Sequence, residues 1–394
     1  MTKIDRYILG KFLFNFVLWM ICLVGIVIVF DLFTNMETLL AAGEQAGSVP
    51  KILATFYFFK IVPMMNLVTS LLGLVAAMIT IAMMMRNNEL VPIQAAGISS
   101  IRIIRPLILA VFVVTLVSTA TREILLPRYI HKITDNPFDY VEDRGKVMNA
   151  TVDQRTGIMF QGDMIFLETR QISNPSFVLS MPLVEQPLHL DAQNAFYKAA
   201  DEKHPAGFLL DNVRGSELLQ GDSLQLEGHP VVITPKSASD WLKPDQCFIV
   251  SDVPFMYLMA SRNWEMYAST WDLFLAVRNP SLDVGSRFQS QVHARLVLPL
   301  LDMTLLFLGL PVIFVQGDRN VFKALGLSAL LVTAFMVVKG TCQLIGAGIE
   351  MPVLGAWLPL MIFVPVAVNF CLGMIGDTRK EPIMPLPTAI SANV

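Results

Sequence analysis

The stretch FLFNFVLWMICLVGIVIVFDLF, residues 12–33, decides the fold class. A helix needs about 20 mostly apolar residues to cross a hydrocarbon core of about 30 Å. Only Asn15 and Asp31 break the apolar character of this run. Basic residues precede it (Lys3, Arg6 and Lys11), but it is longer than the roughly 7–15 residue core of a cleaved signal. It reads as a retained membrane helix. Five further runs qualify: Ile61–Met85, Pro106–Thr121, Leu296–Val315, Ala324–Ala347 and Val353–Gly376. The third is short unless it extends back through Ile101. The composition agrees, with 54% of the 394 residues hydrophobic and only 15% charged. A soluble domain carries about 25% charged residues. Disorder is excluded, because disordered chains are poor in apolar residues.

Lysines and arginines give the orientation. With the N-terminus inside, residues 1–11, 86–105, 316–323 and 377–394 are cytoplasmic. They carry Lys3, Arg6, Lys11, Arg86, Arg102, Arg105, Arg319, Lys323, Arg379 and Lys380, against Lys51 and Lys60 in the short outer loops. This is a positive-inside bias. It places both termini in the cytoplasm, and a polar region of ordinary soluble composition outside it, together with a short loop around Glu350. That region, Arg122–His293, holds 15 Lys and Arg against 22 Asp and Glu. An acidic surface argues against nucleic acid as a partner. Its only cysteine is Cys247, so it holds no internal disulfide.

The outer region has a β-like pattern. Ile158–Phe160, Gln161-Gly162-Asp163 and Met164–Leu167 predict a hairpin with glycine in its turn. Phe177–Met181, Phe208–Leu210 before Asp211-Asn212, Val231–Ile233 before Thr234-Pro235, and Phe248–Val250 predict further short strands. Such a series suggests a sandwich or open jelly roll. Trp271–Val277 predicts a helix leading back to the membrane. The expected fold is an α-helical polytopic membrane protein of six transmembrane helices, arranged 3+3, with an inserted β domain outside the cytoplasm that is a sandwich or an open jelly roll. The expected boundaries are 1–125, 126–290 and 291–394.

Catalytic motifs are missing. The chain has no phosphate-binding loop, no H-E-x-x-H and no paired-cysteine zinc motif. The histidines His189, His204 and His229 are too loosely spaced for a metal site. Gly326-Leu327-Ser328-Ala329 superficially resembles an intramembrane serine-protease motif, but no histidine lies deep in a membrane run to serve as its base. No catalytic residue, metal or cofactor is expected.

Three ionisable residues interrupt the apolar runs: Asp31, Asp302 and Lys339. Intramembrane charges face the protein interior or a wet cavity. At 1.5 Å per residue, Asp302 and Lys339 both lie about 12 Å below the outer surface on consecutive antiparallel helices. They are expected to pair, with Gln343 one turn above Lys339. A structural ion pair and a place in a substrate cavity remain equal readings. Asp31, near the outer end of the first helix, is expected to be exposed at the interface.

Residues 86–97, R-N-N-E-L-V-P-I-Q-A-A-G, can form a short helix starting near Leu90, where Pro92 fits the first turn. Gly97 is a plausible stop. Leu90, Ile93 and Gly97 are spaced for one side. By physics alone the segment is either a connector or a docking element for a partner.

The same segment resembles the coupling helix of the LptF/LptG permease family, with its R-x-x-E-L-x-x-x-x-A-x-G pattern. Asp5-Arg6-Tyr7-Ile8 resembles that family's opening D-R-Y-[IL]. Glu123–Pro127 resembles its E-x-x-x-P exit from helix 3. His293-Ala294-Arg295 with Pro299-Leu300 resembles the start of its helix 4, and Gly355–Pro359 the start of its last helix. The resemblance implies an inner-membrane permease without catalytic activity of its own, whose inserted domain is a periplasmic β-jellyroll. Its partners would be a paralogous LptF/LptG-type permease, a cytosolic LptB-like ATPase dimer and LptC/LptA-like jellyroll proteins, and its substrate lipopolysaccharide or a related lipid. It implies that Arg86, Glu89, Leu90, Gln94, Ala95 and Gly97 form the ATPase-coupling segment. It also places Asp31 and Lys339 on cavity-lining helices. Many family members carry lysines just beyond helix 1, where this chain reads Thr34-Asn35-Met36-Glu37; Lys51 and Lys60 are the available substitutes. A permease for another amphiphile such as a lipoprotein, a membrane scaffold or sensor, and a membrane-bound enzyme are the alternatives. The residues leave open whether the chain is LptF-like or LptG-like.

Overall fold

The computed structural model describes residues 2–377, apart from 134–135, 142–144, 168, 202–203, 215–220, 259–262, 284, 317–320 and 350. Arg319, Glu350, Arg379 and Lys380, used above for orientation, lie outside the described residues. The chain forms two compact units. One comprises Met1–Gly25, Met65–Thr119 and His293–Val394, and the other Ile26–Met64 and Ala120–Val292.

The helices before the strands are α1 (Lys3–Thr34), α2 (Met36–Gln45), α3 (Val49–Arg86), α4 (Leu90–Ala95) and α5 (Ser100–Ala120). A π-helical turn, Thr121–Leu125, joins α5 to α6 (Leu126–Tyr129). After the strands come α7 (Asn263–Tyr267), α8 (Thr270–Arg278), α9 (Gly285–Gln316), α10 (Val321–Gly348) and α11 (Pro352–Asp377). Six helical segments among the described residues are long and apolar enough to cross a membrane: Lys3–Thr34, Val49–Thr69, Ile101–Tyr129, Phe288–Pro311, Gly326–Gly346 and Pro352–Gly373. They overlap the six apolar runs, with two differences. In place of Ile61–Met85, the second qualifying segment is Val49–Thr69, and Leu71–Arg86 is a shorter apolar stretch of the same 38-residue helix α3. α5 does reach back through Ile101.

In the first unit the core is built from Ile8 and Phe12 of α1, Leu74, Met78 and Ile81 of α3, Leu107 of α5, and Val297 and Leu301 of α9. Small residues permit close approach: a Cβ on Gly309 of α9 would lie 2.5 Å from Leu74 Cδ1. Polar side chains tie the helices where water is scarce. Asn15 Nδ2 donates to Thr80 Oγ1 at 2.9 Å, joining α1 to α3. Asn66 Nδ2 donates to the Ser118 carbonyl at 2.7 Å, joining α3 to α5.

Among the described residues the second unit contains an antiparallel sheet of eleven strands. They are β1 (Lys146–Val147), β2 (Thr151–Val152), β3 (Met159–Gln161), β4 (Met164–Phe166), β5 (Gln171–Ser173), β6 (Ser176–Leu179), β7 (Leu188–Lys198), β8 (Gly207–Arg214), β9 (Leu224–Leu226), β10 (His229–Ile233) and β11 (Cys247–Val250). The order is β1-β4-β5-β7-β8-β11-β10-β9, with β2, β3 and β6 continuing the same ladders. Phe160, Phe177 and Phe208 meet in the core at centroid distances of 5.0, 5.4 and 5.9 Å.

The hairpin expected at Gly162 does not form: β3 pairs with β2 and β6, and β4 with β1 and β5. Gln161 faces Ser176 and Met164 faces Ser173, so one register runs unbroken through Gly162-Asp163. β3 and β4 are therefore halves of one bent strand. The reversal comes later, near Arg170, whose φ is +51°. Gly162 is needed for a different reason, since a Cβ there would lie 2.5 Å from Ile172 Cγ2. Asp211-Asn212 does not end a strand either; β8 runs through it with Asn212 at φ +58°.

These irregularities fall on one line across the sheet. Asn174 (φ +45°) donates from Nδ2 to Asp163 Oδ2 at 2.9 Å, and its N–H donates to the Gln193 carbonyl at 3.0 Å. Asn212 Nδ2 donates to Gln193 Oε1 at 2.9 Å. On each strand the buried alternation slips by one residue at this crease: Phe160 to Ile165, Ile172 to Phe177, Ala192 to Ala195. Local distortions of this kind bend a strand and increase its twist.

Candidate functional site

The segment carrying the R-x-x-E-L pattern forms α4, which begins at Leu90. Gly97 ends it at φ +79°, with the Ile98 N–H donating to Ile93 and the Gly97 N–H to Gln94. This is the hydrogen-bond pattern of a glycine-terminated helix end. Glu89 stands at the N-cap position, but its carboxylate makes no capping bond. It reaches α1 instead. Lys11 Nζ lies 2.6 Å from both Glu89 oxygens, and the Tyr7 hydroxyl donates to Oε2 at 3.0 Å. Asn87 Nδ2 donates to Oε1 at 3.2 Å, and Lys11 sits 4.6 Å from the centre of the Tyr7 ring. Burial works to raise the Glu89 carboxyl, but the hydrogen bonds from Lys11, Asn87 and Tyr7 outweigh it and hold it below the ordinary glutamate value.

Two short motifs thus meet in one junction: Tyr7 of D-R-Y-I and Glu89 of R-x-x-E-L. Lys11 and Tyr7 are absent from the expected site. Their place in a recurring motif and among the basic residues of the N-terminus is the only signal that marks them. Leu90, expected on the coupling surface, is 4% exposed and packs into the helical core. One face of so short a helix must be buried, and Leu90 lies on it with Ile93 packed alongside. Arg86, Val91, Gln94, Ala95 and Gly97 remain exposed.

Asp31 departs from expectation. It is not simply exposed but half-buried in an ion pair: Lys60 Nζ lies 2.7 Å from Asp31 Oδ1, with side-chain exposures of 14% for Lys60 and 18% for Asp31. The Tyr57 hydroxyl donates to Oδ2 at 3.1 Å and Asn35 Nδ2 to Oδ1 at 3.1 Å. Asp31 and Lys60 therefore neutralise each other. Of the two lysines considered as headgroup contacts, only Lys51 is exposed. An aromatic group surrounds this pair. Phe56 lies under Lys60 at 4.8 Å, and Phe59 stacks on Tyr140 at 6.2 Å. The Tyr140 hydroxyl donates to the Lys132 carbonyl, and burial pushes that phenol up to about 12.

The other motifs also serve as braces. Glu123, in the π-helical turn, accepts from the Thr270 N–H at 2.7 Å and from its hydroxyl at 2.8 Å, so it caps α8. Ser269 and Asp272 complete a capping box there. The Trp357 indole N–H lies 3.5 Å from His293 Nδ1, linking the helix 4 and helix 6 motifs. Gly355 explains its own place: a Cβ there would lie 2.9 Å from the Gly346 Cα, so α10 and α11 touch backbone to backbone.

Asp302 is buried in α9, whereas Lys339 is half-buried and Gln343 exposed on α10. An apolar cleft of about 510 Å³ opens between α9 and α11, lined by Met303, Phe307, Val364 and Leu372. Among the described residues no group of three or more His, Cys, Asp or Glu side chains is placed to hold a metal ion.

Among the described residues, six helices apolar enough to cross a membrane, together with an inserted antiparallel sheet, mark an integral membrane protein. The chain belongs to the lipopolysaccharide export system permease LptF/LptG family, matching it over residues 6–180 and 190–372. No curated protein matches the chain. It is a multi-pass inner-membrane permease subunit of that family.

Proposed function

We propose that this chain is one of two paralogous permeases that extract lipopolysaccharide, or a closely related glycolipid, and pass it to a periplasmic bridge. A separate cytosolic ATPase of the LptB type supplies the energy. In this reading both termini and α4 are cytoplasmic, the sheet domain is periplasmic, and the transmembrane arrangement is 3+3 around an open jellyroll. Apolar strands of such a domain can shelter acyl chains, each buried CH₂ contributing about 0.8 kcal/mol.

The observation that carries the proposal is the Glu89 junction. An ATPase pushing on the exposed Arg86, Gln94, Ala95 and Gly97 moves α4, and Glu89 passes that movement to α1 through Lys11 and Tyr7. Asp31 and Lys60 then shape the cavity wall, while Asp302 and Lys339 form a polar pair on the α9–α10 side.

Co-expression with the candidate ATPase tests the coupling. The wild-type complex should assemble and hydrolyse ATP. Glu89→Ala should lower the ATPase rate several-fold, or abolish assembly. If neither rate nor assembly changes, α4 is a connector and the scaffold reading prevails.

A further inference from the structure

An open cleft of about 680 Å³ lies between the amino end of α1 and the carboxyl end of α3. On α1 its wall is Lys3, Arg6, Gly10 and Phe14, which share one helical face at spacings of three and four residues. Opposite are Met83 of α3 and Asn87, just beyond its carboxyl end. The space beside Gly10 is open, since a Cβ there would meet no atom within 4 Å. Glycine inside a helix is unfavourable, and here no close neighbour requires it.

The cleft is polarised along its length. Lys3 and Arg6 are exposed at the mouth, and neither forms an ion pair with another described residue. Lys11 borders the cleft but is committed to Glu89. The Asp5 carboxylate beside the mouth accepts from the Thr2 N–H at 2.8 Å. Deeper in, Phe14 is 68% exposed and Met83 39% exposed, although both lie on helices otherwise packed together. From Lys3 to Phe14 the helix rises about 16 Å. That is a basic head site followed by an apolar trough, at the end of a membrane-crossing helix.

We infer that this cleft binds an anionic glycerophospholipid of the leaflet that meets the amino end of α1. Its phosphate lies against Lys3 and Arg6, and an acyl chain lies over Gly10 between Phe14 and Met83. Inorganic phosphate alone would leave the apolar trough unfilled. The inference concerns a lipid bound beside the Glu89 junction and is independent of which lipid is exported and of the membrane orientation.

Full-length protein in detergent, offered equal amounts of phosphatidylglycerol and phosphatidylcholine with identical acyl chains, tests this by native mass spectrometry. Two basic groups at an anionic head should give about thirtyfold preference for phosphatidylglycerol. Lys3→Gln/Arg6→Gln alters only exposed side chains and should reduce that preference to within about twofold, as the loss of both charges requires. Gly10→Leu should lower the retention of both lipids by filling the trough. The inference is overturned if wild type shows no preference, if the preference survives Lys3→Gln/Arg6→Gln, or if Gly10→Leu leaves retention of both lipids unchanged. Displacement by millimolar inorganic phosphate, or by equimolar lipid A, would likewise refute it. So would photo-crosslinking from position 14 that captures a co-purifying protein in place of lipid.

Discussion

Removing Lys11 should uncouple α4 from α1, and the structure sets the size of the effect. Glu89 receives both a cation at 2.6 Å and a phenolic hydroxyl at 3.0 Å. A hydrogen bond to a charged group contributes about 1.5–3 kcal/mol, and a fully exposed ion pair only about 0.2–1 kcal/mol. The two side chains are about a quarter exposed, at 27% for Lys11 and 24% for Glu89. The pair falls between these limits, so a double-mutant cycle of Lys11→Ala and Glu89→Ala should give a coupling energy of about 1.5 kcal/mol. Tyr7→Phe should cost about 1 kcal/mol through its hydroxyl alone. Reversible unfolding in mixed micelles supplies these energies, and far-UV circular dichroism checks that the variants remain helical. The pH dependence has a definite sign. The folded Glu89 carboxyl titrates below its ordinary value. Its contribution is therefore complete above the unfolded glutamate pKa of about 4.3 and is lost as pH falls through the lower folded value. The stability gap between wild type and Glu89→Gln should close on acidification over that range. A coupling energy below about 0.3 kcal/mol, the level of exposed helix-surface pairs, or a gap that widens in acid, would refute this reasoning.

Three further outcomes are expected. Asp31→Ala leaves Lys60 half-enclosed without its partner and should cost about 2–3 kcal/mol, whereas Asp31→Ala/Lys60→Met should cost less, as found when both members of a buried pair are replaced; a double variant as unstable as the sum of the singles would contradict the pairing. Asp302→Ala and Lys339→Ala should each impair export, and the double variant should be milder than their sum; strict additivity would count against the proposed pair. Burial pushes the Cys247 thiol up to about 12, so in a variant lacking Cys22, Cys342 and Cys371 it should resist maleimide at pH 7.5 until the protein unfolds; rapid labelling of the native state would show the β8–β11 core to be open.

The helices are legible in the chain because crossing a membrane imposes a length and an apolarity that single residues cannot disguise. Their ends are less so: α3 runs twelve residues further back than its apolar stretch, since Lys51 and Lys60 interrupt the apolarity without interrupting the helix. The sheet is harder, because a crease is a property of neighbouring strands. Gly162 looks like a turn in one dimension, and only the continuous register with Ser173 and Ser176 shows that the strand carries on. β7, the longest strand, escapes notice because two of its three buried positions are Ala192 and Ala195 and its middle is Gln193-Asn194. In the site, Glu89 stands out by its motif, but Lys11 is 78 residues away. Asp31 looks interfacial from its depth alone; what buries it is Lys60 on the next long helix.

The most direct test of the central claim is the identity of the lipid that co-purifies with the permease and its partners. Mass spectrometry of the extracted complex should find a lipid A-bearing glycolipid enriched over the bulk membrane, at near-stoichiometric amounts. A diacylated lipoprotein in its place, or no glycolipid enrichment in an intact complex, would contradict the account.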